Sequence, residues 1–185
     1  MKLYHGSQNG NLKELTTNFK TARENEEGKV FLTDSYVCAF MYGACSSRFY
    51  GYDKENDVLV IQEKAPNGLK KMYSGHGCFI YSVDVKNAEK YENHPIKNHV
   101  YTLTENVKLD NKEKIDDCYQ KLLELEKEKA LKIVRWEDLN EEEQKRCKNN
   151  FINTFKPYMN IEKQNFPEEY NLLVSFYKEL EVEDN

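Results

Sequence analysis

The chain has 185 residues, a formal net charge of -5 and 39% hydrophobic residues. This length and composition predict one folded domain with a sizeable core, and they exclude an intrinsically disordered chain. No stretch approaches the roughly 18 apolar residues of a membrane-spanning helix, and the first residues lack the apolar run of a signal peptide. We therefore expect a cytoplasmic protein with no membrane partner.

Residues 1–110 contain short strand-like runs separated by turn residues. Five runs predict strands: KLYHG (2–6), KVFLT (29–33), DVLVIQ (57–62), CFIYSVDV (78–85) and HVYTLTENVKL (99–109). The alternation in CFIYSVDV places four residues on one face of that strand: Phe79, Tyr81, Val83 and Val85. The segment DSYVCAFMYGA (34–44) predicts a helix that begins at an Asp or Ser cap, and GACSSRFYGYDKEN (43–56) predicts a loop.

From residue 111 onward the pattern becomes helical. Helices are predicted in NKEKIDDCYQKLLELEKEKALK (111–132), EDLNEEEQKRCKNNFINTF (137–155) and FPEEYNLLVSFYKEL (166–180). The first has an apolar stripe of Ile115, Tyr119, Leu122 and Leu123. The third begins at Pro167, a favoured first helical residue, and has a face of Tyr170, Leu173 and Tyr177.

The charge divides in the same way as the predicted elements. Residues 1–110 are electrically neutral, so the net charge of -5 comes from residues 111–185. No Gly/Ser/Pro-rich spacer separates the two parts. We therefore predict an α+β domain in which a helical C-terminal region, 111–185, packs on a β-rich core, 1–110.

Cysteine and histidine spacing gives no sign of a metal centre. The five cysteines are Cys38, Cys45, Cys78, Cys118 and Cys147. Their odd number and the lack of a Cys-x-x-Cys pair indicate reduced thiols rather than disulfides or zinc. The four histidines are His5, His76, His94 and His99. They match no standard zinc spacing, so no metal is predicted.

The stretch LYHGS puts His5 at the end of the first predicted strand, followed by Gly6 and Ser7. A His-Gly-Ser sequence there presents an imidazole, accessible backbone groups and a hydroxyl to a small molecule. The alternative is a strand-end histidine that bonds to nearby backbone. Phe31 and Tyr42 are eleven residues apart on a predicted strand and helix, and two facing rings bind a flat heteroaromatic group. The alternative is that both rings are ordinary aromatic residues of the hydrophobic core.

The two stretches LYHGS and GKVFLTDSYVCAFMY together resemble the ADP-ribosyltransferase superfamily over roughly residues 1–45. The resemblance is to the His-Tyr-Glu branch, which contains the poly-ADP-ribose polymerases and the diphtheria-toxin-like enzymes. It implies a split antiparallel β core and NAD as the substrate.

The resemblance implies NAD binding by His5, Gly6, Ser7, Phe31, Thr33 and Tyr42. In such enzymes His5 would bond the 2′-hydroxyl of the nicotinamide ribose, and Gly6 would hold the nicotinamide amide through its backbone. Phe31 and Tyr42 would take the places of two tyrosines that clamp the nicotinamide ring. His5 and Tyr42 are also predicted catalytic residues.

The sequence departs from the pattern of the family at three positions. Phe31 replaces the first clamp tyrosine, and Ala39 replaces a helix serine that in relatives bonds the nicotinamide amide. The third motif of the family is a glutamate at the start of a late strand, where His99 is the aligned residue. Glu105 and Glu92 are the other candidates, and Glu105 is the expected acid of an active enzyme.

The resemblance implies mono-ADP-ribosyl transfer from NAD to a protein, to a nucleic acid or to water. The alternative is a non-catalytic module that binds NAD, ADP-ribose or a protein partner on the same scaffold. RNA 2′-phosphotransferases share the fold, but they hold phosphates with several arginines. Residues 1–110 contain only Arg23 and Arg48, so the charge argues against the phosphotransferase branch.

Overall fold

The computed structural model describes residues 1–17, 28–44, 50–53, 55–92, 99–165 and 167–183. The strands in these ranges are β1 (Lys2–Ser7), β2 (Glu14–Leu15), β3 (Val30–Thr33), β4 (Tyr50–Asp53), β5 (Val58–Gln62), β6 (Cys78–Asp84), β7 (Glu89–Lys90), β8 (Val100–Leu103), β9 (Val107–Lys108), β10 (Asn111–Ile115) and β11 (Leu131–Val134). The helices are α1 (Tyr36–Gly43), α2 (Gly68–Tyr73), α3 (Cys118–Lys127), α4 (Glu141–Phe155), α5 (Met159–Asn165) and α6 (Pro167–Phe176).

The described strands form a main sheet, a small sheet and a separate pair. The main sheet has the order β10-β6-β1-β3-β8-β7, and all of its neighbours are antiparallel. The small sheet has the order β11-β5-β4, in which β11 runs parallel to β5. Strand β2 pairs with β9. The prediction of an α+β fold with an antiparallel sheet is therefore confirmed.

The main sheet buries side chains on both of its faces. On one face, Cys78 and Ile80 of β6 join the larger core with α1 and the C-terminal helices. On the other face, Leu3 of β1 and Val83 of β6 join a smaller core that includes Leu15. A strand that is covered on both sides has no single apolar face, because both sets of alternate residues are withdrawn from water.

Four predicted strands are confirmed, as β1, β3, β5 and β6. Phe79, Tyr81 and Val83 alternate along β6 as predicted, and Val85 follows the end of the strand. Tyr81 and Val83 are buried, whereas Phe79 and Val85 are half-buried. The run at 99–109 was predicted as one strand and forms two, β8 and β9, because the chain bends between them.

The prediction of one helix over 111–132 is wrong at both ends. Residues 111–115 form β10, which pairs with β6 along its whole length. Helix α3 begins only at Cys118, because the Asp117 carboxylate caps it and also accepts a bond from the Gly75 N–H. The helix ends before Lys129, which has a left-handed φ of 61°, and the chain then enters β11.

The predicted loop at 43–56 is also partly wrong, because Tyr50–Asp53 is strand β4. It pairs with β5 through a turn in which Asp57 has a φ of 53°. A tyrosine-rich segment suits a strand, and this one completes the small sheet.

The two predicted C-terminal helices are confirmed as α4 and α6. Asn140 and Glu143 form a reciprocal capping box at the start of α4, and Pro167 is the first residue of α6. The predicted face is buried in the larger core, although its last residue follows the end of α6: Tyr170, Leu173 and Tyr177. Among the described helices, none combines the length and the apolarity that crossing a bilayer requires.

Candidate functional site

The ladder between β1 and β3 is interrupted beside His5. Strand β1 pairs with β6 from Lys2 to Ser7, but in the described residues it pairs with β3 only at Tyr4 and Thr33. Beyond that pair the His5 side chain bridges the strands, since its Nδ1 lies 3.3 Å from the Phe31 carbonyl oxygen. The sheet is therefore open at one place, and His5, Gly6 and Ser7 line its β1 side.

The surroundings of His5 favour the neutral form of its imidazole. Burial lowers its pKa, and the hydrogen bond to the Phe31 carbonyl offsets that effect only in part. The geometry makes Nδ1–H the donor to the Phe31 oxygen, which leaves a lone pair on Nε2. Within the described part of the chain Nε2 has no hydrogen-bond partner. His5 is thus able to accept a hydrogen bond from a hydroxyl of a ligand.

Helix α1 lies directly on β1 because position 6 has no side chain. A Cβ on Gly6 would lie 1.7 Å from the Ala39 carbonyl oxygen and 2.5 Å from the Gly43 backbone nitrogen. Tyr42 precedes Gly43, so this contact brings Tyr42 close to Gly6. The packing of α1 against β1 is therefore sufficient to require glycine at position 6, independently of any ligand that its backbone binds.

The hydroxyls of Ser7 and Thr33 both make local hydrogen bonds. Ser7 accepts from the Asn9 N–H at 3.1 Å, in the turn that follows β1. Thr33 is buried and accepts from the N–H of Ser35 at 3.1 Å, while Ser35 caps α1. Thr33 thus fixes the junction between the strand that carries Phe31 and the helix that carries the second predicted ring.

The predicted aromatic pair has a neighbour that sequence reasoning missed. The Phe31 ring packs edge-on against Tyr91, with ring centroids 5.3 Å apart. Tyr42 is half-buried and packs against the larger core. Tyr91 follows the two-residue strand β7, which the sequence pattern did not reveal.

Comparisons of the chain with protein-family models, with curated proteins and with solved structures found no match.

The three candidates for the acidic position lie at different ends of β8. Phe31 faces Thr102 in the ladder. His99 lies three residues from Thr102 towards the end of β3, about 10 Å along an extended strand. Glu92 is at that same end, because the Tyr91 N–H bonds the Val100 carbonyl. Glu105 lies three residues from Thr102 in the opposite direction.

Glu105 lies towards the end of the main sheet at which the gap between β1 and β3 opens. Because β1, β3 and β8 alternate in direction, Ser7, Val30 and Leu103 lie towards the same end of the sheet. Glu105 follows Leu103 in the bend before β9, and its side chain is exposed. Of the three candidates, it is the one placed at the end of the sheet that His5 and Ser7 approach.

His99 belongs to a separate hydrogen-bonded cluster. Its Nδ1 lies 2.7 Å from Asp34 Oδ1, and its Nε2 lies 2.8 Å from the Tyr52 hydroxyl and 3.2 Å from Asp57 Oδ1. The Tyr52 hydroxyl also donates to Asp57, and Tyr101 donates to Asp34 Oδ2 at 3.0 Å. Both ring nitrogens are therefore occupied by protein groups.

The cluster favours a positively charged His99. Partial burial opposes the charge, but the hydrogen bonds and negative charges of Asp34 and Asp57 outweigh it, so the pKa of His99 is raised. Sequence reasoning missed both aspartates and Tyr52 because they are 42 to 65 residues away in the chain. In the described ranges, no group of three or more His, Cys, Asp or Glu side chains is arranged to hold a metal ion.

Proposed function

We propose that the chain is a mono-ADP-ribosyltransferase that takes NAD as its substrate. The observation that carries this proposal is the opening between β1 and β3. There a neutral His5 is held on the Phe31 carbonyl, and α1, which carries Tyr42, lies against Gly6. An imidazole acceptor, an accessible strand edge and two aromatic rings are the groups that a nicotinamide riboside needs.

In this proposal His5 accepts a hydrogen bond from a hydroxyl of the nicotinamide ribose through Nε2. The rings of Phe31 and Tyr42 bind the faces of the nicotinamide, and Gly6 and Ser7 bind its amide. Stacking against each ring contributes about 1 kcal/mol beyond the burial of apolar area. These contacts orient the glycosidic bond towards the acceptor.

Glu105 is the residue whose carboxylate we assign to charge stabilisation in the reaction. The bond between nicotinamide nitrogen and ribose C1′ breaks, its electron pair leaves with nicotinamide, and a nucleophile attacks C1′ and loses its proton. Positive charge develops on the ribose in between, and a carboxylate stabilises it in the transition state alone. His99 is unsuited to this role, because its environment favours the cation and both of its ring nitrogens are engaged.

The test is nicotinamide release from NAD by the wild-type chain and by Glu105→Gln, measured by chromatography. We expect the variant to lose at least about 100-fold in kcat, with little change in NAD affinity, because it loses a charge that acts in the transition state. Glu128→Gln is the matched control, since Glu128 is exposed at the end of α3.

The outcomes separate the catalytic proposal from its alternative. If Glu105→Gln and the wild type release nicotinamide at equal rates, Glu105 takes no part in the reaction. Saturable NAD binding without release supports a non-catalytic binding module. If the wild-type chain neither binds NAD nor releases nicotinamide, the proposed function as a whole is overturned.

A further inference from the structure

Three segments of the chain meet at His99. Asp34 belongs to the junction between β3 and α1, while Tyr52 and Asp57 belong to the β4–β5 hairpin of the small sheet. His99 itself directly precedes β8 of the main sheet. Its imidazole is thus a direct polar connection between the two sheets.

While the Tyr52 hydroxyl donates to Asp57, the hydrogen bonds of the cluster are complete only when the imidazole is protonated. The charged ring donates from Nδ1 to Asp34 and from Nε2 to the side of Tyr52 and Asp57. Tyr52 in turn donates its hydroxyl to Asp57, and Tyr101 donates to the second oxygen of Asp34. A neutral ring has one N–H, so it can donate to only one of the two sides.

The cluster also fixes a short segment that joins two residues of the candidate site. Asp34 lies between Phe31 of β3 and Tyr42 of α1 in the chain, one residue before the Ser35 cap. Its backbone N–H bonds the His99 carbonyl at 3.3 Å, so His99 holds Asp34 by both backbone and side chain. A shift of Asp34 therefore changes how β3 and α1 are placed relative to each other.

We propose that protonated His99 is a latch that ties the β4–β5 hairpin to the β3–α1 junction, and that it thereby positions Phe31 and Tyr42. The positioning of Phe31 and Tyr42 rests on the proposed function, whereas the connection between the hairpin and the junction does not. His99 is a positioning residue here and touches no substrate.

The latch opens as pH rises. The described titratable groups that face His99 are Asp34 from the β3–α1 junction and Tyr52 and Asp57 from the hairpin. Both carboxylates favour the cation, and the His99 pKa is raised. The ring therefore donates to both sides at pH values below its raised pKa, and above that value it keeps an N–H for only one of them.

The first experiment measures the His99 pKa by NMR of its imidazole nitrogens in the full chain. We expect titration above about 6.5 in the wild type, and a value about 1 pH unit lower in Asp57→Asn. Asparagine tolerates the left-handed backbone at position 57, so this variant keeps the fold. Asp116→Asn is the control, since Asp116 is exposed and pairs with Lys114.

The second experiment measures hydrogen-exchange protection of the hairpin amides in wild type and His99→Gln at pH 6. Protection of β4 and β5 should fall at least about tenfold, as expected for the loss of a charge-assisted hydrogen bond. A wild-type His99 that titrates at or below about 6.5, an unchanged pKa in Asp57→Asn, or unchanged hairpin protection would each overturn the latch.

The third experiment tests the link to the site. In an enzyme that releases nicotinamide, Asp57→Asn should raise the KM for NAD several-fold more than it lowers kcat, and the wild type should show the same change as pH rises. An unchanged KM overturns the positioning role alone. If the wild type releases no nicotinamide and binds no NAD, the proposed function fails, while the first two experiments still decide the latch.

Discussion

His5 and His99 lie in opposite electrostatic environments. His5 is inside the sheet, with a single carbonyl as its described partner, so desolvation lowers its pKa. His99 is 21% exposed and lies between two carboxylates, which raise its pKa despite partial burial. Two residues of one type therefore favour different charge states at the same pH, because charges as well as burial set the balance.

The two histidines should make opposite contributions to the pH dependence of stability. The folded-state pKa of His5 is lowered, so folding loses free energy as pH falls below about 6.5, where the unfolded chain binds the proton. The folded-state pKa of His99 is raised, so its contribution is present below about 6.5 and disappears as pH rises through the folded value.

Urea unfolding at pH 5, 7 and 9 checks this contrast. Relative to wild type, His5→Gln should lose less stability between pH 7 and pH 5, and His99→Gln should lose less between pH 7 and pH 9. His76→Gln is the control, since His76 is exposed. Identical pH profiles in all four proteins would contradict the assigned charge states.

At the scale of the element, the contact of α1 with β1 depends on backbone shape. The atoms that a Cβ on Gly6 would meet belong to the helix backbone, at Ala39 and Gly43, so no side-chain rotation relieves the clash. The close approach places the backbone of α1, which carries Tyr42, against Gly6. A helix that moved away from the strand would carry the ring with it.

Gly6→Ala should destabilise the chain by about 3 kcal/mol or more, because the new methyl group forces α1 away from β1. Gly51→Ala is the matched control in β4, where a Cβ meets nothing within 4 Å and the expected change is about 0.5 kcal/mol or less. Urea unfolding gives both values. Equal stabilities of the two variants would show that the helix adapts without cost.

Local sequence pattern predicts those elements whose apolar residues and end signals agree. Strand β3, helix α1 with its Ser35 cap and helix α4 with its capping box are of this kind. Strand β10 is not, because NKEKI is charged and exposed except for Ile115, and only its pairing with β6 makes it a strand. Tertiary pairing of that sort leaves no periodicity in the sequence.

The candidate site divides in the same way. The strands predicted from LYHGS and KVFLT are neighbours in the main sheet, and His5 lies beside the Phe31 backbone. Local sequence pattern predicts none of the partners of His99, because the segment DSYVCAFMYGA marks Asp34 only as a possible helix cap. Hydrogen bonds across 42 to 65 residues depend on the packing of two sheets.

At the scale of the whole molecule, both sheets are completed by residues after 110. Strand β10 forms one edge of the main sheet, and β11 pairs with β5 in the small sheet. Helices α3, α4 and α6 cover the larger core, in which Phe151 packs against Phe176 and Tyr177. The predicted β-rich core and helical region thus share strands as well as packing.

A fragment of residues 1–110 should not fold by itself. It would lose two strands and expose the apolar residues of the larger core that α3 to α6 cover, such as Phe40, Leu59, Ile61 and Leu69. We expect no cooperative urea transition, strong binding of a hydrophobic dye and poorly dispersed NMR spectra. The control is a chain of residues 1–183. A cooperative transition in the short fragment would contradict the shared core.

The position of β1 inside the main sheet has a consequence for biosynthesis. Among the described strands β1 is synthesised before the others, and it lies between β3 and β6. It therefore has no described partner strand until residue 33 has emerged, and its full-length partner is complete only at residue 84. The last strand of the small sheet follows only at residue 134. The nascent chain therefore exposes unpaired strand edges until residue 134 has emerged, and unpaired edges of this kind favour aggregation during folding.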